Sequence, residues 1–212
     1  MPSAAGFVLA GGRSLRMGAD KALVEFAGEP LIARALGILR AAGLDTAIAG
    51  ARQPLGGYAP VVADSEPELG PLGGVCAALA TLEAERALFL PVDMPLMAPS
   101  LLRCLIGLAE RESAAVAVPQ LDGFAQTFPA VVSRAALPFL RRELEAGRRG
   151  CLAAFQAAAA ALGQQVALLP VEESVRREGL VHPRGTAAES WFLNVNTASD
   201  LVAAIELESG PN

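Results

Sequence analysis

Residues 6–21 read Gly6-Phe7-Val8-Leu9-Ala10-Gly11-Gly12-Arg13-Ser14-Leu15-Arg16-Met17-Gly18-Ala19-Asp20-Lys21. The opening apolar run shows no polar alternation, which is the pattern of a strand covered on both faces, and Gly11-Gly12 ends it. A second such run, Ala87-Leu88-Phe89-Leu90, closes at Pro91-Val92-Asp93. Around these two runs the periodicity switches repeatedly. Leu31 to Ala42 carries Ile32, Leu36 and Leu39 at helical spacing, with Pro30 before it and Gly43 after it. Thr46–Ala49 and Val61–Ala63 read as short strands, Gly70 to Gly74 as a Gly/Pro turn feeding an Ala/Leu helix to about Glu85, and Pro99 opens another helix with Leu101, Leu102, Leu105 and Ile106. Ala114–Val118 and Phe128–Val132 read as strands flanking an Asp122-Gly123 turn. Helices follow at Arg134–Glu145 and Leu152–Leu162, then strands at Val166–Leu169 and Phe192–Val195, then a last helix from Thr197. Glu172–Glu189 is the least regular stretch and reads as a loop. Strands alternating with helices predict an α/β fold: a three-layer α/β/α sandwich around a mainly parallel sheet, with residues 1–212 as one domain.

The composition agrees with this reading. Apolar residues make up 53% and charged residues 18%, which supplies a core and excludes a disordered or coiled-coil chain. The net charge is −5, so a general nucleic-acid or anionic-membrane binder is not expected. No apolar run approaches the ~20 residues of a membrane helix, and Met1–Gly6 lacks the basic start of a signal peptide. A soluble cytoplasmic protein is the expectation. Cys76, Cys104 and Cys151 are too scattered for a disulfide framework and read as core or helix residues. The single histidine, His182, argues against a histidine-rich metal centre and reads as an exposed loop residue.

In an open α/β sheet, ligands bind beyond the carboxyl ends of the strands. Four expected strand ends carry polar residues here. The first runs into Gly11-Gly12, Arg16 and Lys21, the second ends at Asp64, the third near Asp93, and the last carries Asn194 and Asn196. Glycines at 11 and 12 let backbone N–H groups approach an anion, and Arg16 and Lys21 add cations for a triphosphate. Five residues separate Gly12 from Gly18 and no Gly-Lys-Ser/Thr follows, so this is neither a Walker A loop nor a dinucleotide-binding G-x-G-x-x-G. The plainer alternative is a tight glycine turn with solvated charges. Asp93, between Pro91 and Pro95, is placed to ligate Mg²⁺ beside substrate phosphates, or is a turn carboxylate. Asp64 has the same two readings. Asn194 and Asn196, two apart in a strand, would face one way toward a polar ligand. Thr197-x-x-Asp200 fits a helix capping box.

Leu9-Ala10-Gly11-Gly12-Arg13-Ser14-Leu15-Arg16-Met17-Gly18 with Asp20-Lys21-Ala22-Leu23 resembles the signature loop of the molybdenum cofactor guanylyltransferases. So do Gly28-Glu29-Pro30-Leu31, Gly70-Pro71-Leu72-Gly73-Gly74, Pro91-Val92-Asp93-Met94-Pro95 and Asn194-Val195-Asn196-Thr197 before Asp200-Leu201, in the family's order along nearly the whole chain. The resemblance implies a Rossmann-like nucleotidyltransferase fold. It implies transfer of GMP from GTP to the terminal phosphate of molybdenum-molybdopterin, with release of pyrophosphate. By the same resemblance Leu9, Ala10, Gly11 and Gly12 would contact the nucleotide through backbone groups, Arg16 and Lys21 would neutralise phosphates, and Asp93 would hold Mg²⁺. Asp64 would lie near the guanosine, and Asn194 and Asn196 would face the pterin. A protein that delivers the cofactor, or a molybdoenzyme chaperone, would be a partner.

Two departures stand out. Ala51 occupies a position where several family members have an Asn that helps read guanine, and Ala198 replaces a usual Pro after Asn-Thr. Rival readings are a cytidylyltransferase of the same pathway, a sugar-phosphate nucleotidyltransferase, or a non-catalytic nucleotide-binding protein. The Gly11-Gly12 pair favours the guanylyl branch over the cytidylyl relatives.

Overall fold

The two apolar runs quoted above lie side by side in a sheet and bury both faces. The computed structural model describes residues 4–10, 20–50, 55–63 and 69–209. Its first half runs β1 (Ala4–Leu9), β2 (Glu25–Phe26), β3 (Glu29–Pro30), α1 (Leu31–Ala41), β4 (Thr46–Ala49), β5 (Val61–Val62), α2 (Gly70–Thr81), β6 (Arg86–Pro91) and α3 (Pro99–Arg111). The second half runs β7 (Val116–Leu121), β8 (Phe124–Ala125), β9 (Ala130–Ser133), α4 (Leu137–Glu145), α5 (Cys151–Ala161), β10 (Ala167–Pro170), α6 (Val171–Glu178) and α7 (Ala198–Ser209). Short 3₁₀ turns cover Lys21–Leu23, Leu55–Gly57, Arg134–Ala136 and Ala188–Phe192.

The main sheet has the order β10-β7-β9-β6-β1-β4-β5, with β8 folded back on β7. Pairings are parallel except those of β9 with β6 and β7, and that of β8. Alternate residues of each central strand enter opposite cores. Val8, Ile48, Leu88 and Leu90 pack with Leu36 and Leu39 of α1 and Leu102 and Leu105 of α3. Phe7, Leu9, Phe89 and Val132 pack with Leu72 and Leu79 of α2, Leu140 of α4 and Phe155 of α5. Phe7 and Phe89, on adjacent strands, stack with ring centroids 5.7 Å apart. The expected three-layer α/β/α sandwich with a mainly parallel sheet is therefore observed, and the unbroken apolar strands are explained by two covered faces.

Two glycine positions are set by geometry. Asp122 and Gly123 both have positive φ, 50° and 80°, as a two-residue primed hairpin turn between β7 and β8 requires. At Gly73 a Cβ would stand 2.5 Å from the Leu69 side chain, so only glycine lets α2 start against that residue.

Three expectations are corrected. Phe192–Val195 is not a strand: Ala188–Phe192 forms a 3₁₀ turn, and Trp191 buries its ring in the core on the α1 and α3 face of the sheet. A short apolar run of this kind cannot by periodicity alone be told from a buried strand. Glu172–Glu189 is not loop throughout, because Val171–Glu178 is α6. Glu172 and Glu173 in its first turn and Arg176 and Arg177 in its last complement the helix dipole, and Gly179 ends it at φ 64°. His182 is buried rather than exposed. Its Nδ1 accepts the Arg184 N–H at 3.2 Å and meets Thr186 Oγ1 at 3.0 Å, and Trp191 Nε1 donates to the Thr186 carbonyl at 2.8 Å. The three cysteines are buried on α2, α3 and α5, as expected of core or helix residues.

Candidate functional site

From β1 the chain moves to β4 and β5 on one side, then returns to place β6 on the other side of β1. The carboxyl ends of β1 and β6 therefore flank the point where the strand order reverses, which is where open α/β sheets form a crevice. The sheet's own hydrogen bonds continue just past the strands there: Ala10 N–H donates to the Ala49 carbonyl and Val92 N–H to the Leu9 carbonyl, both at 3.1 Å. These bonds fix the loop that carries Asp93 against the end of β1.

Three segments remote in sequence meet above this point. Asp20 accepts the Ala22 N–H at 3.1 Å and caps the short 3₁₀ turn that begins at Lys21. Lys21 Nζ donates to Asp93 Oδ2 at 2.7 Å and to Asn196 Oδ1 at 2.6 Å. The Val195 N–H donates to the Asp93 carbonyl at 2.9 Å, so backbone as well as side chain ties the C-terminal segment to the Asp93 loop. The Lys21 and Asp93 side chains are 15% and 21% exposed, which leaves the cluster open to a ligand yet partly desolvated.

The next residues hold Asn196 in place. Asp200 Oδ2 accepts N–H bonds from Asn196 at 2.9 Å and Thr197 at 2.8 Å, and Asp200 N–H donates to Thr197 Oγ1 at 3.2 Å. This is the capping box expected from the sequence, at the start of α7. The Asn196 N–H first, then Thr197 and the nearby Lys21 charge, hold the Asp200 carboxyl below its ordinary range. Ala198 starts the helix in place of Pro without disturbing the box.

The structure thus brings together Lys21, Asp93 and Asn196 of the expected site residues. Asn194 stands apart, with its exposed Nδ2 donating to the Phe192 carbonyl at 3.2 Å. Because the segment is not a strand, the two-residue spacing does not align the two amides. Leu9 and Ala10 sit at the end of β1. Gly11, Gly12, Arg16, Ala51 and Asp64 lie outside the described residues. Sequence reasoning missed the backbone bond from Val195 to Asp93, which no side-chain pattern signals.

The donor set at Asp93 suits a hard cation shared with phosphates. Its Oδ2 is held by Lys21, and Oδ1 takes no hydrogen bond from another described residue. Among the described residues no group of three or more His, Cys, Asp or Glu could hold a metal by itself. A hard divalent cation that is bound together with substrate phosphates and water needs only one or two protein carboxylates.

A doubly wound three-layer sheet of this kind is the fold of the Rossmann-like nucleotidyltransferases. Residues 6–168 match the MobA-like NTP transferase domain, and the chain belongs to that family and is a nucleotidyltransferase. It is 34% identical over 208 residues to the probable molybdenum cofactor guanylyltransferase of Pelotomaculum thermopropionicum, covering 96% of this chain and 93% of that protein. It is 44% identical over 102 residues to the molybdenum cofactor guanylyltransferase of Xanthomonas euvesicatoria pv. vesicatoria, a match that spans 48% of this chain and about half, 52%, of that relative. The crystal structure of molybdopterin-guanine dinucleotide biosynthesis protein A from Archaeoglobus fulgidus has the same fold. Its TM-score is 0.77 at 23% identity, covering 97% of this chain and 99% of that one. No helix among the described residues is long and apolar enough to cross a membrane.

Proposed function

We propose that this enzyme transfers GMP from GTP to the terminal phosphate of molybdenum-molybdopterin and releases pyrophosphate. The observation that carries the reading is the single ammonium of Lys21 bonded both to Asp93 and to Asn196 at the switch point. A phosphate oxygen of either substrate can take its place among those ligands. An oxygen of the pterin phosphate forms a bond to the α-phosphorus of GTP, and the bond from that phosphorus to the bridging oxygen of pyrophosphate breaks. The attacking phosphate is already anionic near neutral pH, so no general base is required, which fits a chain whose only histidine, His182, is buried and bonded to Arg184 and Thr186.

The residues then have distinct tasks. Asp93 would hold Mg²⁺, which supplies charge neutralisation to the triphosphate and the leaving pyrophosphate when bound. Lys21 neutralises phosphate oxygens and joins the two halves of the site. Asn196 orients the acceptor, with Asn194 further out on the same segment. Gly11, Gly12 and Arg16 serve the triphosphate, Leu9 and Ala10 border the nucleotide, and Asp64 lies toward the guanosine. Catalysis is then positioning and charge stabilisation, as in phosphoryl transfer generally. The pterin is supplied by a carrier protein and the product passes to a molybdoenzyme chaperone.

The test is pyrophosphate release from the purified protein with Mg²⁺, molybdenum-molybdopterin and GTP, CTP or ATP in turn. Release with GTP alone is expected. Release with CTP instead would make Ala51 the mark of a different base, and binding without release would favour a non-catalytic nucleotide-binding protein. Asp93→Ala is expected to abolish turnover while the fold survives. Unchanged turnover would remove Asp93 from the site.

A further inference from the structure

Arg34 lies on α1, outside the cluster described above, and its guanidinium is used from several sides. Nε donates to the Pro95 carbonyl at 3.0 Å, and Nη1 to Glu29 Oε1 at 3.3 Å. Nη2 pairs with Glu208. The guanidinium also stands over the Phe26 ring, 5.1 Å from its centroid. The Arg34 side chain is 11% exposed and that of Glu208 only 2%. Arg184 adds a second cation at 3.4 Å from Glu208.

What Arg34 holds is informative. Pro95 is two residues beyond Asp93. Glu208 is in the last turn of α7, whose opposite end is capped through Asn196 and Thr197. The contacts close into a ring: Asp93 to Lys21, Lys21 to Asn196, Asn196 through α7 to Glu208, Glu208 to Arg34, and Arg34 back to Pro95. Helix α7 has a narrow apolar face: Ala204 is buried and Leu201 and Ile205 are partly buried against the core, while Val202 and Leu207 are exposed and Glu208 is buried. These contacts hold the middle of the helix to the core, and its two ends are held by polar anchors. Asp200 supplies one and the buried ion pair the other. A planar guanidinium offers separate N–H groups to the Pro95 carbonyl, Glu29 and Glu208 in one fixed plane, a spread that a lysine ammonium lacks.

We infer that Arg34 is a positioning residue, which by gripping Pro95 and Glu208 together sets the separation of Asp93 from Asn196. The segment after residue 168, beyond the matched domain, is thereby built into the site. The kinetic consequence rests on the proposed reaction, and the structural one does not.

The test uses the full chain with Glu208→Gln and Arg34→Lys, assayed well below their melting temperatures, with two readouts. Hydrogen exchange followed by mass spectrometry should show residues 193–201 exchanging on the order of tenfold faster in Glu208→Gln, with β1 and β6 unchanged. In both variants KM for molybdenum-molybdopterin should rise by about tenfold, and KM for GTP should stay within about twofold. Unaltered exchange over residues 193–201 in folded Glu208→Gln would overturn the inference, as would equal rises in both KM values. Local loosening of residues 193–201 with no transfer to the pterin by the parent protein would overturn the proposed reaction and leave the positioning role standing.

Discussion

Replacing Lys21 by methionine tests the centre of the site most directly. The side chain keeps a similar stem and loses only the ammonium, which lies 2.7 Å from Asp93 Oδ2 and 2.6 Å from Asn196 Oδ1. A phosphate oxygen entering this cluster would approach Nζ to about 4 Å or less, and at an effective dielectric of ~20 such a pair attracts by about 4 kcal/mol. The effective value is appropriate because the Lys21 and Asp93 side chains retain 15% and 21% exposure. About half of that attraction is already present in the bound substrate and is expressed in KM, and the rest, ~2 kcal/mol, grows with the charge of the transition state. The expected result is a fall of roughly 30-fold in kcat and roughly a thousandfold in kcat/KM. Stability should change little, since a partly exposed pair contributes about 1 kcal/mol at most. Lys21→Arg should fall between, because its fork keeps the charge and cannot meet Asp93 and Asn196 from one point. The assay is steady-state pyrophosphate release, with circular dichroism melting on the same samples. A Lys21→Met protein within about threefold of the parent in kcat/KM would refute the assignment, as would a loss wholly explained by unfolding.

Other consequences are accessible to simple measurements. His182 has its pKa lowered by burial first and by the Arg34 and Arg184 charges next, so the folded chain resists the proton that the unfolded chain accepts. Stability is then full above the ordinary imidazole value of about 6.5 and declines as pH falls through it; urea midpoints between pH 8 and pH 5 should show this slope, and His182→Gln should flatten it. Asp200, with its folded pKa held below the ordinary value, contributes stability above the carboxylate range that is lost on acidification. Asp200→Ala should fray the start of α7 and raise the acceptor KM, measured by hydrogen exchange and kinetics together. Phe155 is fully buried and meets the Phe128 ring edge-on at 6.0 Å, so Phe155→Ala should cost ~3–5 kcal/mol in urea unfolding with KM values unchanged.

The fold was open to reading because its physics is local. Buried strands such as Phe7–Ala10 and Ala87–Leu90 are apolar throughout since both faces are covered, and α1 and α3 start at prolines and carry their apolar stripes at helical spacing. The failures came where local signals compete. Trp191, Phe192 and Leu193 form an apolar run that a strand or a buried turn satisfies equally, and only the packing of Trp191 on the α1 and α3 face of the sheet decides. Helix α6 did carry a usable signal in Glu172-Glu173, Arg176-Arg177 and Gly179, but its charged surface masked it as a loop. His182 was misplaced because burial of a loop histidine depends on Thr186 and Trp191, whose approach no spacing announces. For the proposed site, residue type and strand-end position single out Lys21 and Asp93, whereas Asn196 is singled out on a strand that the fold does not contain. Their convergence follows from topology, which puts β1 and β6 side by side with the order reversing between them.

On the proposed reaction, that convergence would let one ammonium serve both substrates. Lys21 reaches a partner 72 residues away and another 175 residues away, so each contact closes a long stretch of chain. The first joins the loops after β1 and β6, both inside the matched domain, where the strand order dictates proximity. The second has no such dictation, because Asn196 belongs to no strand of the sheet. Its place is set by the Val195 bond to the Asp93 carbonyl, the Asp200 cap and the far anchor of α7 at Glu208. On the proposed reaction, the nucleotide side would be fixed by the sheet and the acceptor side by a separately anchored helix, so that the two could vary independently. Substitutions in α7 and its anchors should accordingly alter acceptor handling while leaving the nucleotide side intact, and loss of the joining lysine should disturb both.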